Sequence, residues 1–257
     1  MKRLGLFCAL MPILAGCAMR AGETGGHDAV VRSVYSSVQL FTERADLGRR
    51  AGSAVVLATD ASSGRALILT TAHLLEPPVE QSVFAKAPSS AGRSPAKILA
   101  VDADLDLAIL EANGLPVSPA AIQTETRLGD DIWVISYPWG RRMTLVDGAV
   151  SQIRQDGDGR ATFPITGPVG LIDAPVSYGA SGGGVYDDET GRLIGIVRGY
   201  RTAKLSVPGS DTVPLEVPIG GETTVISTPQ ILCFLKAAAV TQPVSAELSR
   251  QIAESDC

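Results

Sequence analysis

Short apolar runs rich in β-branched residues recur from about residue 30 to residue 225. The clearest runs are 37–41, 52–59, 65–72, 96–102, 106–112, 131–138, 144–153 and 192–200. Clusters of Gly, Asn, Asp and Ser separate them, and such clusters are typical of turns. No long helical period lies between the runs. The pattern therefore predicts an all-β sandwich or barrel and disfavours an α/β sheet.

Helical periodicity begins only near the C-terminus. Thr228 is a suitable cap for a helix with Pro229 at its first position. One apolar face follows, formed by Ile231, Leu232, Leu235 and Ala238. A second short helix is predicted after Pro243. We therefore predict a folded domain over residues 29–240 and a C-terminal helical extension over residues 241–257.

The first 17 residues, MKRLGLFCALMPILAGC, have the features of an export signal. Two basic residues precede an apolar run that is short for a membrane span. The last four letters resemble the bacterial lipobox, in which Cys17 is acylated and becomes the first mature residue. An ordinary secretory signal with an unrelated cysteine is the alternative. The resemblance implies a periplasmic lipoprotein, with residues 18–28 as a flexible tether and Ala18 favouring the outer over the inner membrane.

Cysteine usage agrees with export. Cys8 leaves with the signal and Cys17 carries the lipid, so Cys233 and Cys257 remain as an even pair in an oxidising compartment. A disulfide between them closes a loop that is worth about 3 kcal/mol in the chain-entropy model. We predict this disulfide, and two free thiols are the alternative.

Composition excludes several classes of function. Apolar residues form 45% of the chain and charged residues 19%, so the chain is neither disordered nor a multispan membrane protein. The net charge is -5 and no basic stripe occurs, which argues against a nucleic-acid partner. Two histidines and no paired cysteine spacing leave few metal ligands. We expect no metal and no cofactor.

The segment GASGG at residues 179–183 matches the G-x-S-x-G nucleophile elbow of α/β-hydrolases. Those enzymes place the histidine after the serine in the chain. Here His27 and His73 both precede Ser181, so an esterase of that class is disfavoured. The chain order that remains is His73, Asp106, Ser181, as in the chymotrypsin class.

Three segments surround these residues: LTTAHLL at His73, DLDLAIL at Asp106 and GASGGG at Ser181. They resemble the signature segments of trypsin-like serine proteases, specifically the bacterial HtrA/Deg-like branch. The similarity extends over about residues 34–235. It implies two six-stranded antiparallel β-barrels of the chymotrypsin type, split near residue 120, with a catalytic cleft between them. We expect no PDZ domain, because the chain after about residue 240 is short.

The resemblance also implies the roles of the residues. Ser181 is the nucleophile, His73 takes its proton and passes it to the leaving amine, and Asp106 orients the imidazole. The backbone N–H groups of Gly179 and Ser181 form the oxyanion hole.

Substrate contacts are expected at two further places. The family places the floor of the specificity pocket six residues before the serine, at Pro175, whose lack of charge disfavours cleavage after Arg or Lys. A small or medium apolar residue is the better expectation. Arg198, Gly199 and Tyr200 lie in a segment that resembles the strand that pairs with substrate. The sequence leaves open whether Arg198 points into the cleft, where it would favour acidic side chains.

The sequence thus predicts a serine endopeptidase that hydrolyses proteins of the cell envelope, with protein or peptide substrates and a lipid anchor in the membrane. The alternative is a protease-like binding or scaffold lipoprotein without turnover. It is disfavoured because no member of the triad is missing. The natural substrate, the oligomeric state and the regulation stay open.

Overall fold

The structure is a computed structural model that describes residues 23–44, 48–76, 80–154, 164–205, 215–240 and 245–257. The export signal over residues 1–17, the lipidation of Cys17 and the first part of the predicted tether lie outside the described residues. None of the described helices combines the length and apolar character needed to cross a membrane.

Six strands form the first barrel. They are β1 (Ser37–Arg44), β2 (Gly48–Asp60), β3 (Arg65–Thr70), β4 (Ser82–Lys86), β5 (Ser94–Asp102) and β6 (Leu107–Asn113). Each pairs antiparallel with its neighbours in the closed order β1-β2-β3-β6-β5-β4. A single 3₁₀ turn, Ala72–Leu74, follows β3 at one end of this barrel.

The second barrel closes in the order β11-β14-β13-β12-β8-β9. Its strands are β8 (Asp131–Ser136), β9 (Thr144–Ile153), β11 (Val169–Ile172), β12 (Gly184–Asp187), β13 (Leu193–Leu205) and β14 (Leu215–Ser227). The two short strands β7 (Thr126–Arg127) and β10 (Thr166–Gly167) pair separately, and a 3₁₀ turn covers Pro138–Gly140. Two closed antiparallel barrels of six strands confirm the predicted fold class, and the chain passes between them over residues 114–130.

Several strands are buried on both faces, which explains why the sequence shows apolar runs in place of strict alternation. In β2, Val56 packs inside the first barrel, whereas Val55 and Leu57 pack in the layer between the barrels. Ile135 of β8 and Ile196 of β13 face the same layer from the second barrel. This shared apolar layer holds the barrels together along the cleft.

Helices α2 (Thr228–Ala237) and α3 (Ala246–Glu254) end the chain. The cap of α2 is Ser227, one residue before the predicted Thr228, and its backbone N–H donates to the Gln230 side chain at 3.2 Å. A disulfide joins Cys233 to Cys257, with the two Cα atoms 5.6 Å apart. The predicted C-terminal helix is therefore present and packs on the layer between the barrels through Leu232, Leu235 and, from α3, Leu248.

The tether predicted over residues 18–28 is wrong in its second half, because helix α1 spans Glu23–Tyr35. Two glycines near its start hid this helix from the sequence pattern. Tertiary packing overrides the weak propensity: Ala29 is fully buried and Val30 and Val34 pack against the layer between the barrels. Because these side chains pack on that layer, the helix is docked on the barrels and is not a free tether.

Candidate active site

His73 and Asp106 come together from two loops of the first barrel. His73 lies in the 3₁₀ turn after β3, and Asp106 immediately precedes β6. The backbone N–H of His73 donates to Asp106 Oδ1 at 3.0 Å, and the ring atom Nδ1 lies 3.0 Å from Oδ2. Because a carboxylate only accepts, Nδ1 carries the proton, and Nε2 is left as the basic nitrogen facing the cleft.

Asp106 is held in a constrained position. Its φ of 59° lies in the left-handed region, which non-glycine residues seldom adopt outside functional sites. Burial raises the pKa of its carboxyl, but hydrogen bonds from the His73 ring and backbone, with the nearby Arg198 charge, outweigh burial and lower the pKa below its usual range. The carboxylate is therefore ionised at neutral pH, as an orienting acid must be.

Ser181 lies on a tight turn of the second barrel, just before β12. Gly179 (φ 90°) and Gly182 (φ 82°) both adopt conformations that side chains oppose. A Cβ on Gly182 would collide with the Ser53 carbonyl and would approach Thr70 Oγ1 to 2.5 Å. The glycines therefore serve close backbone approach, and the segment is a rigid turn.

Ser53 of β2 fixes this turn from the opposite barrel. Its backbone N–H donates to the Ser181 carbonyl at 3.1 Å, and its hydroxyl donates to the Gly179 carbonyl at 2.8 Å. The same hydroxyl accepts from the Tyr137 backbone N–H at 2.8 Å. Ser53 is 1% exposed, so these bonds are shielded from water. Sequence reasoning missed Ser53, because a serine in a strand carries no signal of such a contact.

Within the described part of the chain, the backbone N–H groups of Gly179 and Ser181 have no acceptor. The neighbouring amides are used: Ala180 N–H donates to the Ser177 carbonyl at 3.0 Å, and Gly182 N–H donates to the Val197 carbonyl at 2.8 Å. Two free N–H groups beside a serine hydroxyl are the arrangement that binds an oxyanion.

Arg198 of β13 touches two members of the predicted triad. Its backbone carbonyl accepts from the Ser181 hydroxyl at 3.2 Å, so in this conformation the hydroxyl is not directed at His73. Its guanidinium Nε donates to Asp106 Oδ2 at 3.3 Å. The side chain thus lies in the cleft, a point that the sequence left open, and there it pairs with the Asp106 carboxylate.

A cavity of about 260 Å³ lies beside Ser181 and His73. Its lining includes Val176, Ser177, Tyr178, Val197, Gly199 and Tyr200. The prediction that Pro175 forms the floor of the pocket is wrong. Side chains alternate in direction along this segment: Ala174 is buried, Pro175 is exposed to solvent and Val176 lines the cavity. Gly199 and Tyr200 do line it, as does Arg50 from β2. Among the described residues that line it, Arg50 and Arg198 carry permanent charges and none carries a carboxylate.

Comparison with known proteins agrees with this architecture. Residues 52–196 match the family model of the trypsin-like peptidase domain. The chain belongs to the trypsin-like peptidase family. The matched range contains His73, Asp106 and Ser181, and it ends two residues before Arg198.

The trypsin-like peptidase resembles proteins of several organisms. It is 30% identical over 154 residues to "Protease Do-like 1, chloroplastic" of Arabidopsis thaliana. The matched segment covers 58% of this chain and 33% of that protein. Among solved structures, the active form of the Rv3671c protease from M. tuberculosis has a TM-score of 0.62 at 21% identity over 95% of both chains. The HtrA-type protease AlgW with a tripeptide has a TM-score of 0.53 at 25% identity, over 75% of this chain and 59% of its own. The chain spans about a third of the length of the plant relative.

This trypsin-like peptidase also carries an exposed aromatic pair beside the cleft, which the sequence pattern did not reveal. The ring centroids of Trp139 and Tyr178 lie 5.4 Å apart. The backbone N–H of Trp139 donates to the backbone carbonyl of Tyr178 at 2.7 Å. Within the described ranges, no three His, Cys, Asp or Glu side chains are placed to hold a metal ion.

Proposed function

We propose that this trypsin-like peptidase is a serine endopeptidase that cleaves peptide bonds through an acyl-enzyme on Ser181. The observation that carries the proposal is the bond between His73 Nδ1 and Asp106, which leaves Nε2 as the basic nitrogen of a ring that lines the same cavity as Ser181. The N–H groups of Gly179 and Ser181, which have no acceptor among the described residues, supply the complementary donors.

In the first step, Ser181 Oγ attacks the scissile carbonyl carbon while His73 Nε2 takes the hydroxyl proton. The developing oxyanion accepts from the N–H groups of Gly179 and Ser181. The C–N bond then breaks and His73 delivers the proton to the leaving amine. Water, activated by the same nitrogen, hydrolyses the ester. The hydroxyl must first rotate from the Arg198 carbonyl, and a substrate strand that bonds to that carbonyl would release it.

The cavity supports a preference for small or medium apolar side chains before the cut. Val176 and Val197 are apolar walls, the charged groups in the described lining are the guanidinium groups of Arg50 and Arg198, and none of the described lining residues carries a carboxylate to pair with a basic side chain. A panel of peptides that differ only at that residue tests this. We expect Ala, Val or Leu to give at least tenfold higher kcat/KM than Arg or Lys, because burying an unpaired cation costs several kcal/mol. Preferred cleavage after Arg or Lys would contradict the assignment of this cavity.

Envelope substrates and membrane attachment are part of the proposal and rest on the lipobox-like sequence at Cys17. Replacing Cys17 with Ala should move the protein from the membrane fraction to the soluble fraction. The matched control is Cys8→Ala, which changes a cysteine inside the predicted signal. Unchanged membrane retention of the Cys17 variant would show that the protein has no lipid at this residue.

The central test uses the full-length protein and a fluorophosphonate probe. We expect labelling of the wild type, and none of Ser181→Ala or His73→Ala. His27→Ala is the matched control because His27 is exposed on α1, and it should be labelled normally. Labelling of the Ser181 variant would refute the triad. A folded wild type that takes no label and cleaves no peptide would instead support the scaffold alternative.

A further inference from the structure

Arg198 is the bulged residue of its strand. In the pairing of β13 with β14, Val197 faces Val225 and Gly199 faces Thr224, so the register steps past Arg198. Bulges of this kind redirect a side chain and are frequent beside active sites. Here the bulge turns the guanidinium away from the β14 ladder and across the cleft to the first barrel, where it reaches Asp106.

Arg198 contacts the same carboxylate oxygen of Asp106 as His73 does. Nε lies 3.3 Å from Oδ2, the same oxygen that lies 3.0 Å from His73 Nδ1. Among the described residues, Arg198 and the His73 ring are the basic groups within salt-bridge distance of this carboxylate. The Asp106 side chain is 11% exposed and the Arg198 side chain 52% exposed, so water screens the pair from the arginine side.

Other charged or titratable groups lie farther out around the His73–Asp106 pair. They are Arg50 from β2, Glu76 after the His73 turn, Asp102 at the end of β5, Asp104 from the loop before Asp106, and the phenols of Tyr178 and Tyr200 along the cavity. Arg50 donates to the Glu76 carbonyl at 2.9 Å, and Asp102 accepts from the Asp104 and Leu105 backbone N–H groups. These contacts engage Arg50 and Asp102 away from the Asp106 carboxylate.

We propose that Arg198 is a positioning residue that sets the pH range of the enzyme by sharing Asp106 with His73. The inference rests on the proposed protease function. A permanent cation on Oδ2 offsets part of the negative charge that stabilises protonated His73. His73 therefore stays neutral, and able to act as a base, at a lower pH than it would beside an unshared carboxylate. The acidic limit of activity therefore lies lower than it would without the Arg198 charge.

The test measures the acidic limb of kcat/KM against pH for the full-length wild type and four variants. Arg198→Gln removes the charge, Arg198→Met removes the charge and the hydrogen bond, and Arg198→Lys keeps the charge. The matched control is Arg201→Gln, on the same strand, whose side chain pairs with Glu222. We expect the limb to move up by about half to one pH unit in the Gln and Met variants, the size of a partly screened charge pair at this range.

The Lys variant and the Arg201 variant should stay within about 0.2 pH units of the wild type, since both keep a cation beside Asp106. An unmoved limb in both neutral variants would overturn the proposal. A large change in KM with an unmoved limb would show that Arg198 is a substrate-binding residue.

A second readout does not need turnover. In the Ser181→Ala background, the titration of His73 can be followed by NMR, because the chain has two histidines and His27→Gln assigns the other. The titration midpoint should rise in Arg198→Gln by the same amount as the limb. If the midpoint shifts but the wild type hydrolyses no peptide, the proposed protease function is refuted and the effect of Arg198 on His73 is supported. A fixed midpoint in an active protease would refute the role of Arg198 alone.

Discussion

Replacing Gly179 with alanine tests the geometry of the turn that carries Ser181. The φ of 90° costs an L-residue roughly 1–2 kcal/mol. The new Cβ would lie 2.8 Å from the Trp139 nitrogen and 3.1 Å from the Tyr137 oxygen, and both are backbone atoms that cannot rotate away. The turn must therefore move, and the Gly179 N–H leaves its place in the proposed oxyanion hole. Losing one such donor costs about 3 kcal/mol, so we expect kcat to fall by 10²–10³.

The assay is steady-state hydrolysis of an apolar peptide ester, together with the rate of fluorophosphonate labelling. Circular dichroism checks that the variant is folded. Gly92→Ala is the matched control, because a Cβ on Gly92 meets nothing within 4 Å, and this variant should keep wild-type kcat. If folded Gly179→Ala keeps kcat within fivefold of the wild type, the Gly179 N–H is not an oxyanion donor and the reasoning is wrong.

Three further changes have defined outcomes. Asp106→Asn should lower kcat by about 10⁴ by disturbing the His73 tautomer, measured by peptide hydrolysis. Folding lowers the pKa of Asp106, so its contribution to stability is present above about pH 4 and is lost as the pH falls through the lowered value. Urea titrations should therefore show that the free energy of unfolding of the Asn variant falls less steeply with decreasing pH. Cys257→Ser should lower the free energy of unfolding by about 3 kcal/mol in guanidinium titrations, an effect absent if the thiols are unpaired. Tyr186→Phe should lower it by about 1 kcal/mol, because the Tyr186 hydroxyl loses its 2.8 Å bond to Ser36, whereas an unchanged value would show that this buried bond contributes nothing.

The residues that could be predicted from the sequence are those whose chemistry depends on residue type and order. The order of His73, Asp106 and Ser181 excluded one hydrolase class, and the apolar runs predicted strands close to those observed. The run 144–153 coincides with β9. Each of these signals lies within a short segment of the chain, so a single sequence is enough to detect it.

What the sequence did not reveal depends on packing over long distances. Helix α1 forms because the layer between the barrels accepts its apolar side, not because of its own propensity. Strand β12 lies hidden in a glycine-rich stretch, paired with β8 and β13. The direction of the Arg198 side chain follows from a bulge, and no property of a single sequence marks where a ladder skips a residue.

The Ser53 contacts make catalytic competence a property of two barrels acting as one. Ser53 belongs to the first barrel, yet it bonds to both ends of the turn that carries the nucleophile in the second. A slip of about 1 Å between the barrels would spoil the oxyanion geometry while both cores stayed folded, and misplacement of that size can cost about 10²-fold in rate. A molecule that wedges the barrels apart far from the cleft should therefore inhibit the proposed activity without touching the cleft.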